Sequence, residues 1–224
     1  MERPHRKTAA FAGLALLLVL AGCAQVTVHS EVKASGEVGE LTYQINMSRT
    51  AYGYLEESAE TEGYDSVEDS ILSDFNESEQ EDIEYTEEFN GDQVTLTLTR
   101  ENFVPDGNSS INVTTKDGKI TYEDTTFVNE SAAAVDGSEG YSGALSGGFA
   151  VDYYLTMPGE ITDSNADTVD GNTAEWHESG SEAFTDNRIY AVSEKPTLGS
   201  VPGFEAAGAV VALLVLGLFL VRRR

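Results

Sequence analysis

Asp82-Ile83-Glu84-Tyr85-Thr86-Glu87-Glu88-Phe89-Asn90-Gly91-Asp92-Gln93-Val94-Thr95-Leu96-Thr97-Leu98-Thr99-Arg100 reads as two strands and the turn between them. Asn90-Gly91 is a strong two-residue hairpin signal, because both residues tolerate positive φ. After it, Val94, Leu96 and Leu98 alternate with Thr95, Thr97 and Thr99. Alternation with period two predicts a strand with one buried and one wetted face.

The same grammar recurs on both sides. Towards the carboxy terminus, residues 111–115 and 120–123 flank a second such turn at Asp117-Gly118. Phe149, Val151, Tyr153, Leu155 and Met157 alternate along a strand that Pro158-Gly159 ends. A further hairpin turns at Asp170-Gly171-Asn172 and leads to Trp176, and residues 189–192 form the last strand. Towards the amino terminus, Val26, Val28 and Val32 pair with Leu41, Tyr43, Ile45 and Met47 across a turn at residues 36–39, an alternation that points Asn46 outward. Between these strands and the opening hairpin the period changes. Val67, Ile71, Leu72 and Phe75 stand at helical spacing, Ser66 and Asp69 form a capping pair, and Gly63 separates two short helices within residues 50–75. Residues 130–148, rich in Ala, Ser and Gly, carry no period and read as a loop or insertion. This order predicts an α+β fold: an antiparallel β-sheet with a helical hairpin inserted after its first two strands.

Charge excludes one large class of function. The chain of 224 residues has a net charge of −26, and between its two ends 7 basic residues face 37 acidic ones. A field of that sign repels phosphate backbones, so nucleic acid is not a partner. So many carboxylates repel one another over a long Debye length at low salt, a composition that resembles haloarchaeal proteins. An apolar fraction of 40% and clear strand periodicity stand against disorder.

The two ends carry an address. Residues 1–22 follow the export pattern, with Arg3, Arg6 and Lys7 ahead of an apolar run at residues 9–20 that is too short to span a bilayer comfortably. Leu20-Ala21-Gly22-Cys23 resembles the lipobox of secreted lipoproteins, which implies a lipid on the thiol and cleavage before it by a signal peptidase. Cys23 is the only cysteine, so no intramolecular disulfide forms. At the other end, Pro202, Gly203 and Phe204 precede a nearly all-apolar run at residues 206–221 and then Arg222-Arg223-Arg224. On composition alone this is a transmembrane helix with its basic end in the cytoplasm. The whole pattern resembles the PGF-CTERM sorting signal of haloarchaeal surface proteins, which implies cleavage near the motif by an archaeosortase-type enzyme and replacement by a lipid. Glu205 stands where that family often has Gly. Two anchors hold a protein to a membrane far more firmly than one, and would keep the domain close to it.

The chain thus divides into a lipoprotein signal peptide (1–22), an extracytoplasmic domain (23–192), a stalk (193–201) and a sorting tail (202–224). Within the domain, Tyr154-Leu155-Thr156-Met157-Pro158-Gly159-Glu160-Ile161-Thr162, then Ser164-Asn165, Val169-Asp170-Gly171-Asn172 and Trp176, resemble the LppM-like domain of prokaryotic surface lipoproteins. The resemblance covers about residues 149–192. It implies an α+β envelope domain that contacts lipids or other envelope components, and it brings no catalytic residues.

Candidate chemistry is sparse. Asn-x-Ser/Thr sequons occur at Asn46, Asn76, Asn108, Asn112 and Asn129, and export makes them open to glycosylation. Asp163-x-Asn165-x-Asp167 starts like a calcium loop, but Thr168 and Ala174 stand where such loops need Gly and Glu. Beyond His5 there are only His29 and His177, too few for a metal centre or a serine triad. No catalytic residue, metal or cofactor is expected. The leading expectation is a non-enzymatic, membrane-anchored cell-surface lipoprotein that binds a lipid or an envelope component. Its alternatives are a structural surface glycoprotein without a specific ligand and a solute-binding lipoprotein.

Overall fold

The computed structural model describes residues 24–73, 75, 77–105, 109–127, 149–179 and 188–196. Strand β1 (Ala24–Val32) buries Ala24, Val26, Val28 and Val32 on one face, as its period-two pattern requires. Gly36, at φ +91°, turns the chain into β2 (Val38–Ser48). Ser48 ends that strand and caps the next element: its Oγ accepts from the Ala51 N–H at 3.1 Å and starts helix α1 (Arg49–Glu62). Helix α1 buries Ala51, Tyr52, Leu55 and Ala59 and stops at Gly63, whose left-handed backbone lets the Tyr64 N–H reach back to the Ala59 carbonyl at 2.9 Å. Helix α2 (Val67–Leu72) is capped by Ser66 through the Asp69 N–H at 3.0 Å, the pair read from the sequence, and a single turn, α3 (Glu77–Gln80), follows.

The strands after the helices are β3 (Ile83–Asn90), β4 (Gln93–Phe103), β5 (Ile111–Lys116), β6 (Lys119–Asp124), β7 (Phe149–Thr156), β8 (Ile161–Ser164), β9 (Thr168–Asp170), β10 (Thr173–Ser179) and β11 (Ile189–Glu194). Positive φ at Gly91, at Asp117 and Gly118, and at Gly171 marks the three hairpin turns expected there.

The single antiparallel sheet expected from the strand order is instead two sheets. Seven strands run β3-β4-β2-β1-β7-β10-β9, and four run β5-β6-β11-β8. The pair at the centre of the larger sheet, β1 and β7, is parallel, with Ala24 level with Phe149 and Glu31 level with Thr156. A parallel pair needs a long crossover rather than a tight turn, and 116 residues separate β1 from β7. The chain spends them on the helices, the β2-β4-β3 flank and the β5-β6 hairpin of the second sheet.

One face of the large sheet carries the core. Val28, Met47, Leu96, Tyr153, Leu155 and Trp176 are buried there, with helix α1 beneath β2 and β4, α2 packed on α1, and the small sheet beneath the other half. Trp176 meets Tyr153 edge to face at 5.8 Å between ring centroids, confirming it as a core aromatic. The opposite face is polar: Thr42 and Thr99 hydrogen-bond across strands at 3.1 Å, and Thr95 donates to Asn46 at 2.7 Å.

The chain enters and leaves this fold at opposite ends of the strand axis. Strands β1 and β7 run in the same direction from the Ala24 end. The Glu194 N–H, at the end of β11, donates to the carbonyl of Glu160, just past the far end of β7, at 3.2 Å. Ser193 and Glu194, expected in the stalk, complete β11, and Ser193 is fully buried. Residues 1–23 and 197–224, which hold the signal peptide, Cys23, the sorting motif and the apolar tail, lie outside the described residues. Among the described residues no helix is long and apolar enough to cross a membrane.

Candidate functional site

A cleft in the described surface lies between α1, α2 and the edge strand β3. It has a volume of about 360 Å³ and is lined by Tyr52, Glu56, Glu60, Asp65, Glu68, Tyr85 and Glu87 among others. Glu87 is its fixed point. The Tyr52 hydroxyl donates to its Oε2 at 2.7 Å and the Tyr85 hydroxyl to its Oε1 at 2.6 Å. Burial and the adjoining carboxylate push both phenols well above their ordinary range, so they act as donors and not as phenolates. Helix α1 presents Tyr52 here because Ala51, Leu55 and Ala59 dock its apolar stripe on the sheet, and Phe89 meets Tyr52 edge to face at 5.2 Å. The walls are mainly carboxylate and phenol, with Ala59 and Val67 the aliphatic residues among them. An apolar groove between sheet and helices, the feature that would house an acyl chain, is not what this cleft offers.

A second cluster stands on the open face of the large sheet and brings together the two histidines that the sequence left apart. His29 on β1 stacks on Tyr154 of β7 at 4.9 Å, and Tyr154 meets His177 of β10 at 5.9 Å. His177 Nδ1 pairs with Asp152 Oδ1 at 2.7 Å, its Nε2 lies 3.4 Å from Glu175 Oε2, and Gln25 donates to Asp152 Oδ2 at 2.6 Å. The hydrogen bond that His177 donates to Asp152 holds the His177 pKa above its ordinary value, with Glu175 adding to it. Burial pushes Asp152 up, but the bonds from His177 and Gln25 outweigh it and leave Asp152 below the usual carboxylate range. The alternation of Val28, Tyr153 and Trp176 already turned His29, Tyr154 and His177 outward. The β1–β7–β10 register that makes them neighbours had no local signal.

A third group is internal. Asp124 is 2% exposed, accepts from the Thr126 N–H at 2.8 Å and from its hydroxyl, and receives the Tyr153 hydroxyl at 2.9 Å, while Tyr153 and Tyr122 share a second hydroxyl–hydroxyl bond. Desolvation raises its pKa and these bonds oppose the rise. Ile120, Tyr122 and Asp124 share a period-two face, so the sequence did place Asp124 inward once the strand is extended by one residue past Glu123.

The residues proposed from sequence fare unequally. Asn112 is exposed on β5, whereas Asn46 is half-buried in mid-sheet with its Oδ1 engaged by Thr95. Asn76, Asn108 and Asn129 lie outside the described residues. The calcium-like run is used internally. Asn165 accepts from Trp176 Nε1 at 3.1 Å and from the Tyr190 N–H at 3.0 Å and donates to the Arg188 carbonyl, and Asp167 accepts from the His177 N–H at 2.8 Å. Among the described residues no group of three or more His, Cys, Asp or Glu side chains is placed to hold a metal ion.

No protein-family model matches the chain. In fold, the chain is similar to the NMR structure of the folded domain of Mycobacterium tuberculosis LppM, covering 80% of this chain and 94% of that one, at a TM-score of 0.44 and 7% identity. That likeness is one of fold outline and carries no residue roles. In sequence, the chain is 40% identical over 218 residues to an uncharacterized protein of Archaeoglobus fulgidus, a match that spans 97% of each. With identity at that level along nearly the whole of both chains, this protein belongs to the same family as the Archaeoglobus fulgidus protein.

Proposed function

We propose that the chain is a non-enzymatic cell-surface lipoprotein, anchored through Cys23, sorted through Pro202-Gly203-Phe204, and presenting its domain to a lipid headgroup or another envelope component. The observation that supports this best is where the described fold lies along the sequence. Strand β1 starts at Ala24, the residue after Cys23, and β11 ends at Glu194, eight residues before Pro202. The described strands all lie between Cys23 and Pro202, the placement an anchored ectodomain needs. The ionisable clusters satisfy one another: Glu87 by two phenols, His177 by two carboxylates and Asp124 by two hydroxyls and an N–H. Mass spectrometry of the protein from native membranes tests the reading. An amino terminus at Cys23 carrying lipid, with the residues after the Pro-Gly-Phe motif missing, supports it; an intact leader and tail would overturn it.

A second reading, a solute-binding lipoprotein, is favoured by the cleft at Glu87. Its carboxylates select for cations, and its two tyrosines give a positively charged amine an aromatic wall. Calorimetric titration with spermidine tests it: saturable heat that Glu87→Gln reduces would support solute binding, and none at millimolar ligand would exclude an amine.

A further inference from the structure

The two places where the chain leaves the fold set how the domain meets a membrane. Ala24 stands at one pole of the strand axis and Glu194 at the other. Nine-residue β1 alone spans roughly 26 Å at about 3.3 Å per residue. No linker separates Cys23 from β1, so a lipid on Cys23 holds the Ala24 pole at the bilayer surface. Seven residues lie between Glu194 and Pro202. Drawn out to full extension they reach at most about 25 Å. A domain standing upright on Ala24 would therefore need every residue of that stalk stretched taut to bring the sorting motif down to the membrane, at a large loss of chain entropy.

Charge and apolar exposure point the same way. Every lysine outside the leader stands at, or directly follows, the Glu194 pole: Lys33 opens the β1–β2 turn, Lys116 and Lys119 flank the β5–β6 turn, and Lys195 comes after Glu194. Lys119 is level with Glu194 in the register of β6 and β11. The β1–β2 turn sits beside β5 here, since a Cβ on Gly36 would come within 3.2 Å of Thr115 Oγ1. Val104, 68% exposed, follows Phe103, which pairs with Val38 at this same end. Glu31, Glu37, Glu40, Glu101, Asp117, Glu160, Asp170 and Glu194 share the pole, so the lysines weaken its negative field without reversing it. The cleft edge, with Glu56, Glu60, Asp65, Glu68 and Glu87, has no lysine to offset it.

We infer that the doubly tethered domain lies on its side, with its strands along the membrane plane, both poles on the headgroups and the acidic cleft edge turned away. The tethers hold the Glu194 pole on the headgroups, where its lysine ammonium groups and exposed Val104 are the groups suited to meet them. This rests on the anchoring proposed above and adds an orientation to it.

The test uses the full chain from native membranes, reconstituted in vesicles of extracted host lipid. Since Cys23 is the only cysteine, its lipidation leaves an introduced thiol as the single labelling point. Ser35→Cys marks the Glu194 pole, Asp92→Cys the Ala24 pole and Glu60→Cys the cleft edge; all three sites are exposed. A fluorophore at each is quenched by a nitroxide carried on lipid headgroups. The expected result is quenching at Ser35→Cys and Asp92→Cys that agrees within about twofold, and several-fold less at Glu60→Cys. Quenching at one pole alone, in protein whose mass shows both ends processed, would overturn the orientation and leave the anchoring intact. An unmodified Cys23 in the same spectra would bring down the anchoring and the orientation together.

Discussion

The Tyr153 hydroxyl donates to Asp124 Oδ2 at 2.9 Å and ties β7, one of the central pair of strands in the large sheet, to the small sheet beneath it. A carboxylate at 2% exposure is costly unless its acceptors are filled, and here Thr126 and Tyr153 fill them. Burial still raises its pKa. A raised carboxyl contributes stability that is fully present below the unfolded pKa, about 3.9, and is lost as pH rises through the folded value. Asp124→Asn keeps an oxygen for Thr126 and removes the titration. Its stability relative to wild type, measured by urea unfolding, should therefore rise from pH 4 to pH 8. Asp124→Ala leaves the Thr126 N–H without an acceptor and the Tyr153 hydroxyl with Tyr122 alone, and should cost about 2 kcal/mol. An Asn variant that tracks wild type at every pH would show that Asp124 titrates alike folded and unfolded.

Glu87 binds two tyrosines from different elements, so it fastens α1 to the sheet edge. Tyr52→Phe and Tyr85→Phe each remove one donor to a charged acceptor in a half-open cleft, a loss of about 1 kcal/mol. Both act on one carboxylate, and the double variant should depart from the sum of the singles. Strict additivity in a denaturant cycle would show that the two bonds do not share Glu87 in solution. In alkaline titration followed by absorbance near 295 nm, Tyr52 and Tyr85 should remain un-ionised until the fold opens, since burial and Glu87 hold both pKa values above the ordinary range.

His177 and Asp152 give the open sheet face its own pH dependence. His177 is raised, so its contribution is full below the unfolded value near 6.5 and fades as pH rises through the folded value. Asp152 is lowered, so its contribution is full above the unfolded value near 3.9 and fades as pH falls through the folded one. The pair is therefore strongest between about pH 4 and 6.5. His177 has 46% of its side chain exposed, so solvent screening keeps the term below about 1 kcal/mol. His177→Gln should lower the melting temperature more at pH 5.5 than at pH 8.5, and equal losses would remove the charge from the account.

What the sequence shows of this molecule is what its neighbours along the chain decide. Gly91, Asp117-Gly118 and Gly171 announced their turns because positive φ is a one-residue property, and Ser66 announced α2 because capping acts over three residues. The parallel β1–β7 pairing is decided by how two hydrophobic runs 116 residues apart fit one core, and nothing local encodes it. That missing register hid the His29–Tyr154–His177 cluster and the division into two sheets. The Glu87 clamp was equally hidden: Tyr52 lies on a helix and Tyr85 on a strand, and only the docking of α1 brings them to one carboxylate. Asp124 is different. Its face could be read from Ile120 and Tyr122, but an acidic residue at a strand end in so acidic a chain drew no notice.

The sequons give the last outcome. Asn46 lies in mid-sheet, flanked across strands by Gln25 and Thr95, with Thr95 donating to its Oδ1 at 2.7 Å. Asn112 is exposed on β5, an edge strand of the small sheet. A glycan on Asn46 would have to stand among the close-set side chains of a seven-stranded face, whereas one on Asn112 projects into open solvent. If transfer takes place on the folded domain, peptide mass spectrometry of protein from native envelopes should find Asn112 occupied and Asn46 bare. Asn46→Ala should then cost the unmodified protein about 1 kcal/mol, through the lost bond to Thr95, while Asn112→Ala should leave stability unchanged within about 0.5 kcal/mol. Equal occupancy at both sites would mean that the sugar is attached before β2 and β4 pair, and that the sheet then closes around it.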